Sequence, residues 1–208
     1  MINKITLTVI KIFDYFHKKK IVSFLKKNNN YKFSTILDIG GHAGESIELF
    51  LKNFDSEKLI SFEASPVNYE TLKNNLIKLK KKFKNTEIFI ENYAAGNENK
   101  LLTINQFSES SSSTLKAINV NSNYFKKKFF FLKKKNNENL FKKINIKMIL
   151  LEDYLVEKNI NKIDLLKIDT EGYEYETLLG LRNKLKNVKL VLFEHHYDNM
   201  ILKNYKFR

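Results

Sequence analysis

The chain contains no cysteine and a single proline, Pro66, and of its 37 basic residues only Arg182 and Arg208 are arginine. The missing cysteine excludes a disulfide framework, a cysteine-ligated zinc and a thiol nucleophile. It suits a reducing compartment. With no cleavable leader in view, the expectation is a cytoplasmic protein. The shortage of arginine bears on the net charge of +14. Such a charge points to nucleic acid, an anionic surface or an acidic substrate. Dedicated readers of phosphates and bases favour arginine, however, because its planar fork bonds two acceptors at once. Abundant lysine, asparagine and isoleucine match an AT-rich coding sequence, so composition explains the charge better than a polyanion site does. Also missing is any apolar run long enough to span a bilayer.

With 208 residues, the chain has ample length for one domain with a sizeable core. Residues 1–30 read as an N-terminal helical segment and residues 31–208 as the main domain. Ile2, Ile5, Val9, Ile12, Phe13 and Phe16 recur at helical spacing. Lys4, Lys11 and Asp14 interrupt them, and no small-residue cleavage site follows. The stripe fits a helix packed on the domain. A membrane-surface helix is the alternative, since lysines follow at 18–20.

Beyond residue 30, strands alternate with helices. Ile36–Ile39, Lys58–Glu63, Glu87–Asn92 and Leu101–Phe107 read as strands. So do the apolar runs Ile163–Ile168 and Val188–Phe193, which suit burial on both faces. Helices are expected over Glu45–Lys52, from Pro66 through about Lys82, and from Tyr173 to about Lys186. This alternation predicts an α/β fold, a doubly wound and mostly parallel sheet. Residues 108–143 break the rhythm with a serine run, expected as a flexible loop, and with Phe129-Phe130-Phe131 between lysines. That cluster fits a short buried strand better than a basic-aromatic nucleic-acid patch.

Three strand ends carry chemistry. Thr35 to Gly44 reads T-I-L-D-I-G-G-H-A-G, a buried strand that meets an acid and a glycine-rich turn into a helix. Such turns sit at the ligand crevice of open α/β sheets. The dinucleotide spacing G-x-G-x-x-G fails because His42 stands at its second glycine. Gly40 still lets backbone approach a ligand, and Asp38 can accept from an amine or orient the turn. Glu63 ends the second strand, where an acid can accept both hydroxyls of a ribose. Asp169-Thr170-Glu171-Gly172 ends the strand at 168 and places two carboxylates beside the same crevice, to take a proton, bind a cation or position a hydroxyl. Alternatively Glu171 and Glu174 favour the positive end of the next helix. Glu194-His195-His196 with Asp198 forms a further polar cluster. Adjacent histidines on a strand point to opposite faces, which argues against one metal between them. Glu194 or His195 suits a substrate-side base instead.

Taken together, LDIGGHAGES, ISFEASPVNYETLKNNL, ENYAAGN, SSSSTL, LLKIDTEGYEYETLLG and VLFEHHYD resemble the FkbM family of S-adenosylmethionine-dependent methyltransferases, in family order over about residues 34–198. The resemblance implies a Rossmann-like methyltransferase fold with S-adenosylmethionine as cofactor. It implies that Asp38, Gly40 and Gly44 line the methionine side, Glu63 holds the ribose, Asn92 and Ala94 lie near the adenine, and Asp169 sits near the reacting centre, with Gly41 of the same turn as a further cofactor-binding candidate. It also implies O-methylation of a sugar or another small hydroxylated acceptor, for which the strand-end acids Asp169, Glu171 and Glu194 are the catalytic candidates and no metal is needed. The lone proline leaves no room for the D/N-P-P-Y/F motif of amino-group methyltransferases, and the missing cysteine excludes cytosine-C5 chemistry. A nucleic-acid substrate is therefore disfavoured. The alternatives are a polyanion- or RNA-binding relative, or an inactive truncated one, that keeps the fold without the chemistry. About fifteen residues follow Val188–Phe193, too few for the usual closing hairpin, so the expectation is an incomplete C-terminal hairpin and a homodimer through an exposed sheet edge.

Overall fold

The computed structural model describes residues 16–27, 32–107, 113–123, 125–127, 141–194, 199–202 and 205. Helix α1 (residues 16–27) comes first. Alternating units follow: β1 (Thr35–Ile39), α2 (Glu45–Asn53), β2 (Lys58–Phe62), α3 (Pro66–Lys82) and β3 (Glu87–Glu91). Then come β4 (Ala94–Gly96), β5 (Lys100–Phe107), β6 (Phe141–Leu150), α4 (Leu151–Glu157), β7 (Leu165–Ile168), α5 (Glu174–Gly180) and β8 (Val191–Phe193).

Five strands form one sheet in the order β3-β2-β1-β7-β8, every neighbouring pair parallel. The chain steps outward from β1 to β3 and then returns to lay β7 on the other side of β1. This reversal leaves a crevice beyond the carboxyl ends of β1 and β7, the place where open α/β sheets bind ligands. The expected doubly wound, Rossmann-like sheet is thus the one the chain forms.

Side-chain alternation divides the sheet into two faces. Leu37, Ile39, Ile60, Phe62, Leu166 and Ile168 pack with Leu151, Tyr154 and Leu155 of α4. Ile36, Leu59 and Leu165 point the other way, into a cluster with Ile47, Phe50 and Leu51 of α2 and Leu72 and Leu79 of α3. Leu25 of α1, fully buried, belongs to that second cluster. Local signals set the helix ends. Ser65 caps α3 by accepting from the Asn68 amide, and Pro66 occupies the first turn, where its missing N–H costs nothing.

Several elements differ from what the sequence alone suggests. The strand at 101–107 forms, but it pairs antiparallel with β6 in a separate sheet of order β4-β6-β5. Strand β6 and helix α4 occupy residues for which the sequence raises no expectation, although Ile144, Ile146 and Met148 alternate with Lys143, Asn145 and Lys147. The helix expected from Tyr173 to Lys186 stops at Gly180 and gives way to a 3-10 turn, Arg182–Asn187. Arg182 takes a positive φ of 45° there, which an α-helix cannot continue through. Gly180 also sits so close to the Gly96 carbonyl that a Cβ would collide with it. The run at 188–193 yields only a three-residue edge strand, β8, whose side chains are partly exposed. Residues 1–15 and the Phe129–Phe131 cluster lie outside the described residues. No helix among the described residues is long and apolar enough to cross a membrane.

Leu166 is fully buried at the centre of the sheet, whereas Leu101 is 79% exposed. Leu166→Ala is expected to cost about 2–5 kcal/mol in urea unfolding, and Leu101→Ala less than about 0.5 kcal/mol.

Candidate functional site

Registered strand partners place Ser61, Asp38 and Lys167 side by side on adjacent strands. Alternation turns all three toward α2, on the face of Ile36, Leu59 and Leu165. The result is a polar row inside an apolar layer. Asp38 is fully buried, and its Oδ2 accepts from Ser61 Oγ at 2.9 Å and Ser46 Oγ at 2.7 Å. Lys167 Nζ lies 3.2 Å from Asp38 Oδ1 and 3.5 Å from Asp169 Oδ2, and it donates to the Gly40 carbonyl at 2.6 Å. Burial works against the lysine's charge, but Asp38 and Asp169 outweigh it and hold its pKa above the usual value. One ammonium thus ties the end of β1, the turn after it and the end of β7.

Above this row the turn approaches β7 closely. Gly40 has a φ of +87°, and a Cβ on it would collide with the Asp169 carbonyl, so the position requires glycine twice over. The Gly40 and Gly41 amides both donate to the Phe62 carbonyl at 2.9 Å. His42 follows at a φ of 46°, and its amide donates to Glu63 Oε2 at 2.8 Å. Glu63 Oε1 accepts from the Ser65 amide at 2.9 Å. Burial pushes the Glu63 carboxyl up, against these hydrogen bonds.

Two clefts open here. The first, of about 90 Å³, has Ile39, Phe62, Ala94 and Ile104 among its apolar lining, with Glu63, Tyr93, Asp169 and Tyr173 around them. The second, of about 660 Å³, lies between α1, the turn after β1 and the ends of β7 and β8, and includes His17, Lys18, Glu45, Phe193 and Glu194. Gly40, His42 and Asp169 line both clefts. The rim at 169–173 is held from below. Glu174, fully buried, accepts from the Gly172 amide at 2.9 Å and Thr170 Oγ1 at 3.2 Å through Oε1, and from the Tyr205 hydroxyl at 2.6 Å through Oε2. Thr114 Oγ1 donates to the Glu171 carbonyl at 2.6 Å, which joins the serine segment to this corner. At the junction, His42 Nδ1 lies 3.1 Å from Glu45 Oε1 and 3.3 Å from Oε2. That hydrogen bond raises the His42 pKa against the effect of burial, and it lowers Glu45 to about 2.

The structure brings Gly40, Glu63, Ala94, Asp169 and Glu171 together around the first cleft, and Gly41 and Glu194 into the second. Three expected residues take other places. Asp38 lies beneath the turn, committed to its serines and lysine. Gly44, at a φ of 98°, begins α2 and packs against Leu72 and Leu79. Asn92 braces the β2 end, its Nδ2 donating to the Glu63 carbonyl at 2.8 Å, and its neighbour Tyr93 is the one that lines the cleft. Sequence reasoning missed His42, Asn68, Tyr93, Lys167 and Tyr173. Lys167 had a signal, a lone lysine inside the apolar run LLKI. The others had none, because their roles depend on which strand ends meet. His195, His196 and Asp198 lie outside the described residues, and no cluster suited to a metal occurs among the described ones.

A parallel sheet with an acid-lined crevice at its switch point defines a Rossmann-like α/β protein. The methyltransferase FkbM domain matches residues 38–205, and the chain belongs to the FkbM methyltransferase family. No curated protein matches it in sequence. The crystal structure of methyltransferase FkbM from Methylobacillus flagellatus KT at 2.20 Å resolution aligns with a TM-score of 0.47 and 16% identity. That alignment covers 73% of this chain and 30% of the other, so this chain spans less than a third of that relative.

Two measurements test this geometry. Lys167→Met leaves Asp38 buried without its countercharge and is expected to cost about 3–5 kcal/mol in urea unfolding. Adding Asp38→Asn should recover part of that loss. The His42–Glu45 pair should give a pH-dependent contribution. With the His42 pKa raised, its share is complete below about pH 6.5 and disappears as pH rises through the folded value. With Glu45 depressed, its share is complete above about pH 4.5 and disappears as pH falls toward about 2. His42→Asn should therefore differ most from the parent between about pH 4.5 and 6.5, by less than about 1 kcal/mol because the pair is partly exposed.

Proposed function

We propose that this chain transfers a methyl group from S-adenosylmethionine to a hydroxyl of a small hydroxylated acceptor such as a sugar. The observation that carries this reading is Glu63, a buried carboxylate at the end of β2 on the wall of the switch-point cleft. Its Oε1 accepts from the Ser65 amide and, at 3.5 Å, from Asn68 Nδ2, and its Oε2 accepts from the His42 amide, which leaves Oε2 a lone pair for a ribose hydroxyl. Phe62, Ala94 and Ile104 offer the flat apolar surroundings a purine needs, with Tyr93 beside them. Asp169 and Glu171, on the β7 side, favour a positively charged ligand end.

The donor, when bound, supplies a methyl group already activated on a sulfonium. The chain's residues then have to hold two reactants in line and keep water out. Glu63 fixes one end of the donor in this reading, and the Gly40 turn allows close backbone approach at the other. Asp169 stands where the two clefts meet and can orient the acceptor hydroxyl. Glu194, on the far wall of the second cleft, suits a hydrogen bond to another hydroxyl of the same acceptor. The second cleft sets Glu45, Asp169 and Glu194 beside Lys18 and Lys167 among apolar side chains, a mixed lining that suits a small hydroxylated acceptor.

Isothermal titration with S-adenosylmethionine tests the reading. Saturable binding is expected, and Glu63→Ala should weaken it at least about tenfold by removing charge-assisted hydrogen bonds. An unchanged thermal midpoint would separate that loss from unfolding. Absence of binding at millimolar ligand would refute the proposal.

A further inference from the structure

We propose that the outer face of α1 docks on an anionic lipid surface. The inference stands on that helix and is independent of the methyl-transfer reading. Two faces divide α1. Leu25 is fully buried in the cluster with Ile47 and Phe50, and Ile21 and Val22 pack against the same cluster. Positions 21, 22 and 25 share one side of a helix. The domain therefore accounts for that side only. The opposite side carries Phe16 and Phe24, which are 55% and 60% exposed. Lys19, Lys20, Ser23 and Lys27 are exposed around them. Helical geometry sets the two rings about 12 Å apart along the axis and about 80° apart around it, with Lys20 between them. Among the described residues no other phenylalanine is as exposed. Apolar rings on the solvent side of a helix already packed on its other side point to a further partner.

The residues around the rings say which partner. Residues 16–27 hold five lysines and no acid. Such a face is attracted to a negative surface. Its ammonium groups can stay in water beside lipid phosphates while their methylene stems follow the rings inward. A phenylalanine ring needs no hydrogen bond, so it suits the boundary between headgroups and acyl chains. The segment contains no arginine. It lacks the planar fork that grips single phosphates and bases, which favours diffuse attraction to many headgroups over nucleic-acid readout. Lysine is abundant along the whole chain, but its combination with two exposed rings on one helix face singles out α1. No described helix is long and apolar enough to cross a membrane, so the contact is along the surface. The inner side of α1 walls the second cleft through His17, Lys18 and Ile21. Docking thus holds that cleft close to the lipid headgroups.

Flotation of the full chain with lipid vesicles tests the proposal. The vesicles are phosphatidylcholine alone or phosphatidylcholine mixed with phosphatidylglycerol. Binding is expected on the mixed vesicles, at least about tenfold weaker on phosphatidylcholine, and lost between about 0.1 M and about 1 M salt. Lys19→Gln with Lys20→Gln and Lys27→Gln should weaken it at least about tenfold. Phe16→Ala with Phe24→Ala should do the same, at least about tenfold, with an unchanged thermal midpoint. Lys142→Gln with Lys143→Gln and Lys147→Gln removes the same charge from exposed positions of β6, and binding should stay within about threefold of the parent. The chain has no tryptophan, so Phe24→Trp introduces a single fluorophore and keeps an aromatic ring in place. Its emission should shift to the blue on the mixed vesicles. Phe89→Trp, at a position of β3 that is 45% exposed, should keep its emission.

Absence of flotation with the mixed vesicles at low salt would overturn the proposal. Unchanged Phe24→Trp emission in vesicle-bound protein would do so as well. So would binding that survives Phe16→Ala with Phe24→Ala within about twofold, or that falls as far in the β6 variant as in the lysine variant of α1. If the chain binds oligouridylate and no vesicle, the face serves a nucleic acid and the proposal falls. It falls equally if light scattering shows a dimer that Phe16→Ala with Phe24→Ala dissolves while vesicles stay unbound.

Discussion

The contact between Lys167 and Asp38, 3.2 Å apart inside an apolar layer, is the constraint on which the rest of the site depends. Charges are expensive to bury, and a carboxylate under a helix needs a countercharge and hydrogen bonds. Lys167 supplies the countercharge beside Oδ1, and Oδ2 accepts from Ser46 and Ser61. The pair joins neighbouring strands that are 129 residues apart in sequence, so it forms only when β7 has returned to the side of β1. It therefore rewards the correct strand order and the correct register together. A shift of one residue in β7 would turn Lys167 to the opposite face and leave Asp38 alone.

Everything at the sheet's carboxyl edge builds on that lock. Lys167 also holds the Gly40 carbonyl and faces Asp169, so the turn after β1 and the corner after β7 are set relative to each other. The absence of a side chain at Gly40 lets the two backbones meet. From this meeting point the chain presents His42 to both clefts, and the His42 amide in turn fixes Glu63. Glu174 acts on the other rim, where its buried carboxylate gathers the 170–172 backbone and the Tyr205 hydroxyl. The site is thus supported by two buried acids, Asp38 and Glu174, which do not line the clefts themselves.

Much of this was legible in the chain. The apolar runs at 36–39, 58–62 and 165–168 sit where strands form, and Pro66 starts the long helix. Glu63 and Asp169 were recognisable as acids at strand ends, and both line the crevice. The fates of Asp38 and Asn92 were less visible. Each stands near a strand end beside residues that do face the cleft, and one position decides which face a strand residue takes. Alternation in β1 sends Asp38 to the α2 face, and Asn92 bends back to the Glu63 carbonyl while Tyr93 takes the cleft wall. Strand β6 was hidden for another reason: its alternating stretch follows a long polar segment and pairs with β5, which precedes that segment in the chain.

Periodicity, punctuation and the residue types at strand ends are local properties, and the sequence by itself determined them. They settled the α/β class, the place of the glycine turn and the acids Glu63 and Asp169. Tertiary structure alone decided the rest, because contacts between distant segments have no local trace. It converted Lys167 from one lysine among many into the partner of Asp38, and it turned His42 from a break in a glycine motif into the side chain shared by two clefts.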